Sequence, residues 1–467
     1  MLGVMLAKLV FNSVARSVST WLALIISAIV MSVILTLNIG LVIAGTKCET
    51  EEAQNAFVAM GSGALMFTVL TGFMSLVLVV KICVGLQRKQ VALWQVAGVL
   101  PSRATIILLA EVVVVSLVSA GLGAVVASFV WPAYGRFVWD SGLPQSEELL
   151  RPIASNSLLI GTIATSAVVL ITGIKSSFKV VRSNVVESLS SDEFISVRRA
   201  KWRRVIRAII AVLLILGLTA GYFGISSQPR ITDARKLGDY MTIYMGTGIG
   251  VCIIFALVGT QIIHLITRLL GCLSFGNSWF MAAREASARP DLTSALVVPI
   301  VMMSASTGIM NLWIDKLMLV LNAQAGTAAA VNAPPQQMVI LFGGPVLSAC
   351  VCASSVVCAT INQRTEDNAI LLVSGSVQSD IYKKITVESV IYFIISCVCG
   401  YGIALINEVA INAALKAGPV PVSEFQMPGA NPAYIVFAAV ALSFVLLVAI
   451  AYSGLRKNPV AVISGGR

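Results

Sequence analysis

Two glutamates set 277 residues apart, Glu111 and Glu388, are the side chains of this 467-residue chain whose placement first invites a chemical reading. Each stands in a long apolar stretch at what reads as the start of a helix, where a carboxylate favours the positive helix N-terminus. A proton or cation relay would need them at bilayer depth and facing each other; the sequence places them near one membrane face instead. Asp315 and Lys316, toward the opposite end of another apolar stretch, could pair or line an outer vestibule, though they read first as side chains that snorkel to the surface. His264, the single histidine, has no carboxylate or cysteine beside it and reads as an interfacial residue. The nine cysteines lie mostly within apolar stretches and form no CxxC or Cys/His cluster, so they read as small packing residues rather than metal ligands. No GxxxxGK[ST], HExxH, GxSxG or glycine-rich phosphate loop occurs. The chain is therefore not expected to be catalytic, to bind a metal or to hydrolyse ATP itself.

The elements that carry these residues are membrane spans. Hydrophobic residues make up 58% of the chain and charged ones 11%, against about 25% charged in a soluble domain. A span needs about 20 apolar residues. Candidates fall near 19–44, 61–86, 104–130, 154–174, 205–225, 242–267, 293–318, 338–361, 386–408 and 433–455. Backbone groups in lipid must be satisfied within the segment, and stretches this long exceed barrel strands, so the fold class is an all-α polytopic membrane protein with about ten transmembrane helices. The first span reads as retained rather than as a cleaved signal. Cytoplasmic loops hold the excess of Lys and Arg. Placing both termini in the cytoplasm puts 24 of the 32 Lys and Arg on that side, densest from Lys175 to Arg207. The net charge of +11 is thus a topology signal, and no nucleic acid partner is expected. Trp131, Tyr134, Phe137 and Trp139 read as an outer aromatic belt.

The two ends of the chain match each other. Ala15, Arg16 and Thr20 pair with Ala288, Arg289 and Thr293, each on an amphipathic segment that leads into a span; in the first, Lys8, Asn12 and Arg16 recur every four residues. At an offset of 277, Ala92 pairs with Ala369, Leu93 with Ile370, Val96 with Val373 and Gly98 with Gly375. The pairing continues through Ser102 and Ser379, Glu111 and Glu388, Gly123 and Gly400, and Ala127 and Ala404. Arg182, Asn184 and Val186 pair with Arg456, Asn458 and Val460. This divides the chain into a first four-helix module (1–192), two bridging helices (193–275) and a second four-helix module (276–467). Two bridging spans leave the modules parallel, unlike the inverted repeats of many secondary carriers.

The stretches RKQVALWQVAGVLPSRATIILLAE (88–111) and RTEDNAILLVSGSVQSDIYKKITVE (364–388), with the closing SNVVESLSS (183–191) and LRKNPVAVISGG (455–466), resemble the FtsX/MacB-type permeases of ATP-binding cassette (ABC) transporters. Val185 stands where the second closing stretch has Pro459, and the large extracytoplasmic domain of many relatives is replaced by about 16 residues at 45–60.

The resemblance implies a permease of the bacterial cytoplasmic membrane, coupling ATP hydrolysis by a partner to export or extraction of a hydrophobic or amphipathic substrate such as a peptide, lipid, haem or drug. ATP and Mg²⁺ would be held by an ABC ATPase subunit, in two copies per permease. The segments 88–103 and 364–384 would be coupling helices, presenting Leu93, Trp94, Val96 and Gly98, and Ile370, Leu371, Val373 and Gly375, to that partner. Pro299, Gly343, Gly344 and Pro345 interrupt regular helix bonding and are candidate hinges. A second implied reading is a mechanical transmitter that moves no cargo and regulates an enzyme outside the cell.

Overall fold

The computed structural model describes residues 18–144, 146–181, 197–226, 234–273, 276–325 and 335–417, with 441, 445, 448, 449 and 452. Outside them lie the amphipathic segment at Lys8–Arg16, both closing stretches (183–191 and 455–466) and nearly all of the expected span 433–455. The helices are α1 (Val18–Gly45), α2 (Glu51–Leu86), α3 (Arg88–Val96), α4 (Pro101–Trp139), α5 (Ser155–Val181), α6 (Val197–Ser226), α7 (Ala234–Cys272), α8 (Asn277–Ala288), α9 (Pro290–Ala325), α10 (Pro335–Val373) and α11 (Gln378–Ala417). Among the described residues one 3₁₀ turn occurs, at Glu147–Leu149. Eight helices among the described residues are long and apolar enough to cross a membrane, and they coincide with eight of the expected spans. At 205–225 the described apolar part of α6 is the shorter Ile209–Phe223.

Several helices start where proline fits, since the first helical position needs no N–H donor: α4, α9 and α10 begin on Pro101, Pro290 and Pro335. The first turn of α2 carries Glu51 and Glu52, which suit a helix N-terminus. The expected outer segment 45–60 is for this reason mostly helix, and the true connection is Thr46–Thr50. Beyond the next span, α4 runs through Pro132 as far as Trp139.

The chain divides into two compact units. The first holds Met1–Ile195, Pro334–Ser374 and Ala449–Arg467, and the second Ser196–Ala333 and Gly375–Val448. These packing units are a different division from the sequence modules, because α10 packs with α1 and α2. In the first unit α1 is the centre, flanked by α2, α4, α5 and α10. Hydrophobic burial gives little drive between helices in lipid, so small residues and interhelical hydrogen bonds set the approach. Gly123 of α4 lies so close to α1 that a Cβ there would meet the Ser32 Cβ at 2.5 Å. One turn away, Ser32 Oγ donates to the Ala120 carbonyl at 2.9 Å.

The far end of the first unit is an apolar cap in which Leu41, Phe57, Trp131, Val138 and Leu149 pack together. Trp131 Nε1 donates to the Arg151 carbonyl at 2.8 Å, and the Tyr134 ring stands 6.1 Å from the Trp131 ring. Trp131 is buried and Tyr134 packs against the same cap, which corrects their reading as a lipid-facing belt. The 3₁₀ turn folds Leu149 under these rings, burying Trp131 and covering part of Tyr134.

In the second unit α9 packs on α11 and α7, while α6 lies against α7 and α11. Gly400 of α11 abuts Ser304 of α9, as Gly123 abuts Ser32. The short α8 joins this unit through α7 and α11, and Trp279 Nε1 donates to the Leu270 carbonyl at 2.9 Å.

Candidate functional site

Two corners carry the residues expected to couple to a partner, one at Val96–Pro101 and one at Val373–Gln378. At the first, α3 leaves α2 after a single break at Gln87, whose Nε2 donates to Thr20 Oγ1 at 2.9 Å. The C-terminus of α3 closes on Gly98, with φ of 89°. The Gly98 N–H donates to the Gln95 carbonyl at 3.0 Å and the Val99 N–H to the Trp94 carbonyl at 2.9 Å. This is the Schellman arrangement, in which a left-handed residue satisfies the last carbonyls of a helix and glycine bears no Cβ penalty. Gln95 Nε2 also donates to the Val181 carbonyl at 3.0 Å, tying α3 to the end of α5.

At the second corner α10 runs unbroken to Val373, and Gly375 turns the chain with φ of 100°. The separate short helices expected at 88–103 and 364–384 therefore take different bounds. The first is Arg88–Val96, followed by a turn and the start of α4. The second does not exist as an independent helix: 364–373 is the end of α10 and 378–384 the start of α11. Nothing like the Gln87 break interrupts α10, so its apolar periodicity carries straight through.

The two corners expose corresponding apolar side chains. Leu93 is 59% and Ile370 57% exposed, Val96 is 65% and Val373 71% exposed. Behind them Val91 and Asn368, also 277 apart, are buried, while Trp94 and Leu371 are half-buried. Contiguous exposed apolar groups at a helix end mark a surface that contacts something other than water.

Glu111 and Glu388 are both buried, but neither starts a helix. Since α4 begins at Pro101 and α11 at Gln378, each carboxylate stands beyond the first turn, where the helix dipole has faded. This corrects their reading as helix-start groups. Glu388 accepts a hydrogen bond from the Tyr392 hydroxyl. Near it, Lys384 forms an ion pair with Glu285 of α8, and Lys384 is almost fully buried. The candidate hinges lie in unbroken helix: α9 runs through Pro299 and α10 through Gly343, Gly344 and Pro345. Gly344 is a close-approach residue, its Cβ position 2.7 Å from Ile34 Cγ2 of α1.

Reading the sequence missed a second polar constellation, at the far end of the second unit. Asn311 and Asp315 on α9, and Asn407, Glu408 and Asn412 on α11, lie there with Tyr222 of α6. The available signal was the i, i+4 spacing of amide and carboxylate in Asn311/Asp315 and again in Glu408/Asn412. Asp315 is half-buried and bonded to Asn311, which corrects its reading as a snorkelling surface group. The Lys316 side chain lies outside the described residues.

Taken together, the described helices define an integral membrane protein of all-α architecture. Residues 338–460, from α10 through α11 and beyond, match the family model of the FtsX-like permease C-terminal domain. This match supports a permease-type membrane subunit of the ABC class. No curated protein matches the chain.

Proposed function

We propose that this chain is a membrane-spanning permease subunit of an ABC exporter or extractor, driven by two copies of a separate ATPase subunit that holds ATP and Mg²⁺. The observation that carries this reading is the pair of exposed apolar corners, Leu93/Val96 and Ile370/Val373, each closed by a left-handed glycine and separated by a constant 277 residues. One docking end for each ATPase copy gives a permease with two ATPases. The shared burial register of α4 and α11 supports the parallel repeat that this stoichiometry needs.

In this mechanism the ATPase pair grips the two corners and draws them together when ATP closes it. At the first corner the pull passes through Gln95 to α5 and across the Gln87 break to α2. At the second it passes directly along α10, and through α11 and the Lys384–Glu285 pair to α8. The cargo is hydrophobic or amphipathic and enters from lipid, on the bacterial cytoplasmic membrane with both termini cytoplasmic. Pro299 and Pro345 are the points where α9 and α10 would flex.

The test is co-purification with the ATPase encoded beside the permease. A complex of one permease with two ATPases, whose ATP turnover in lipid discs rises with an amphipathic cargo, supports the reading. Absence of both complex and stimulated turnover overturns it. Turnover coupled only to an extracytoplasmic hydrolase, with no cargo moved, would make the chain a mechanical transmitter instead.

A further inference from the structure

The polar constellation at the far end of the second unit is not used by the coupling reading. It stands about 45 Å along α11 from the Gly375 turn, at 1.5 Å per residue. Two helices packed on each other repeat one device there: Asn311 Nδ2 donates to Asp315 Oδ2 at 3.1 Å on α9, and Asn412 Nδ2 donates to Glu408 Oε1 at 2.7 Å on α11. The carboxylates stand two turns and one turn beyond the close approach of these helices at which the Cβ position of Gly308 lies 2.9 Å from Ala404 Cβ. Glu408 is fully buried. Carboxylates inside a membrane span are expensive, face a bundle interior or cavity, and mark the path of a cation or polar group.

A second, independent feature adjoins this pair. Asn407, the residue next to Glu408, is also fully buried, and its Oδ1 lies 3.4 Å from the Tyr222 hydroxyl that donates to it. Among the described residues its Nδ2 has no hydrogen-bond partner. That nitrogen lies 3.6 Å from the Cβ position of Gly248 on α7, which abuts Ile309 of α9 as well. The unused donor therefore sits at the junction of α7, α9 and α11. A buried amide donor left unsatisfied is unfavourable, and native proteins seldom keep one without a use.

Negatively charged acceptors on helices that meet at a donor unused among the described residues suit a ligand with a cation and a neighbouring hydrogen-bond acceptor. We propose that this junction binds the ammonium group of an amphipathic molecule, with Asp315 and Glu408 receiving the ammonium and Asn407 Nδ2 donating to a carbonyl or hydroxyl oxygen beside it. The identification of that molecule as cargo rests on the export reading above; the binding site itself does not. Exposed apolar residues of α6, among them Leu213 and Leu216, leave lipid-facing surface beside this bundle for a chain of hydrocarbon.

The experiment measures equilibrium binding of three probes to the full-length permease in phosphatidylcholine discs without ATPase: dodecylammonium, dodecanol and the dodecyl ester of glycine. Dodecylammonium is expected to bind about tenfold or more tighter than dodecanol, the range of a charge-assisted hydrogen bond, and the glycine ester a further few-fold tighter. Asp315→Asn and Glu408→Gln should each remove most of the ammonium preference, whereas Asn407→Leu should remove only the extra gain of the ester. That split separates a binding site from a group needed only for packing. Asp315→Asn, at a half-buried position, keeps the test open should the Glu408 variant fold poorly. Equal binding of the probes to the natural protein, or a preference surviving both carboxylate changes, overturns the site and leaves a polar lock between helices. Because no ATPase is present, failure to form the ABC complex would sink the export reading while leaving this result standing.

Discussion

The helices α4 and α11 are alike at one end and opposite at the other. Shifted by 277 residues, Leu108, Glu111, Val112, Val115, Ser119, Gly123 and Ala127 of α4 fall on Ile385, Glu388, Ser389, Tyr392, Ser396, Gly400 and Ala404 of α11, and every one is buried. Even the serine back-bonds agree: Ser119 Oγ donates to the Val115 carbonyl and Ser396 Oγ to the Tyr392 carbonyl. Beyond that point Trp131 stands where α11 has Glu408, and Gly135 where it has Asn412. The first unit ends in an apolar cap and the second in a carboxylate–amide junction. On the proposed coupling, the half nearest the corners answers to one mechanical demand made twice. The far half is freed from that demand, and there one unit is sealed while the other is equipped with polar groups.

The largest effect should come from charge at the corners. Leu93→Asp and Ile370→Asp each place a carboxylate where an apolar contact with the ATPase is proposed, a change worth about 2–3 kcal/mol or more if the group is desolvated. Cargo-dependent ATP turnover in discs should fall by more than about tenfold for either variant, with insertion and thermal unfolding unchanged. Loss for one corner and not the other would break the claimed equivalence of the two ends.

Next comes the contrast at the far ends. Trp131→Ala empties the middle of the apolar cap and should destabilise by about 3–5 kcal/mol, read as a lowered midpoint of unfolding in detergent. Glu408→Gln, at the matching position, keeps an acceptor for Asn412 and should change stability by less than about 1 kcal/mol while altering ligand preference. Comparable destabilisation by both would mean that the junction is a packing device like the cap.

The sequence revealed these two regions unequally. Spans were legible because hydropathy over about 20 residues is a strong signal and lipid permits few backbone solutions. The corner glycines were legible because 277-residue self-similarity kept Gly98 and Gly375 in step. The start of α4 at Pro101, which moved Glu111 off the helix N-terminus, was hidden because hydropathy marks the lipid-embedded part and not where a helix begins. Asp315 and Glu408 are 93 residues apart, and only the packing of α9 on α11 brings them together. Trp131 looked like a belt residue because nothing local announces that Leu149 folds beneath it.

A smaller effect tests the shared half. A Cβ at Gly123 would meet the Ser32 Cβ at 2.5 Å, and one at Gly400 would press on Ser304 still more closely. Gly123→Ala and Gly400→Ala should each destabilise by about 1–3 kcal/mol, the usual consequence of overpacking. Pairing with Ser32→Gly or Ser304→Gly should recover part of the loss, and a thermal unfolding cycle measures how much.

The smallest expected effect is also the cleanest, because no described residue lies within 4 Å of the Cβ position at Gly98 or Gly375 and only backbone strain is at stake. A residue other than glycine held in the left-handed region loses about 1–2 kcal/mol, and asparagine tolerates it better than most. Gly98→Val and Gly375→Val should thus weaken the last turns of α3 and α10 by that amount, with the asparagine variants intermediate. Amide hydrogen exchange at Val99 and Ser374, whose N–H groups donate to the Trp94 and Ile370 carbonyls, reads the loss locally. Faster exchange at both corners in the order Gly, Asn, Val would show that each closes by its left-handed residue. The effect at Gly375 should be the milder, since α10 reaches its corner as a continuous helix whereas α3 hangs on the Gln87 break and the Gln95 bond. The reverse order would mean that the second corner, not the first, depends on its glycine for shape.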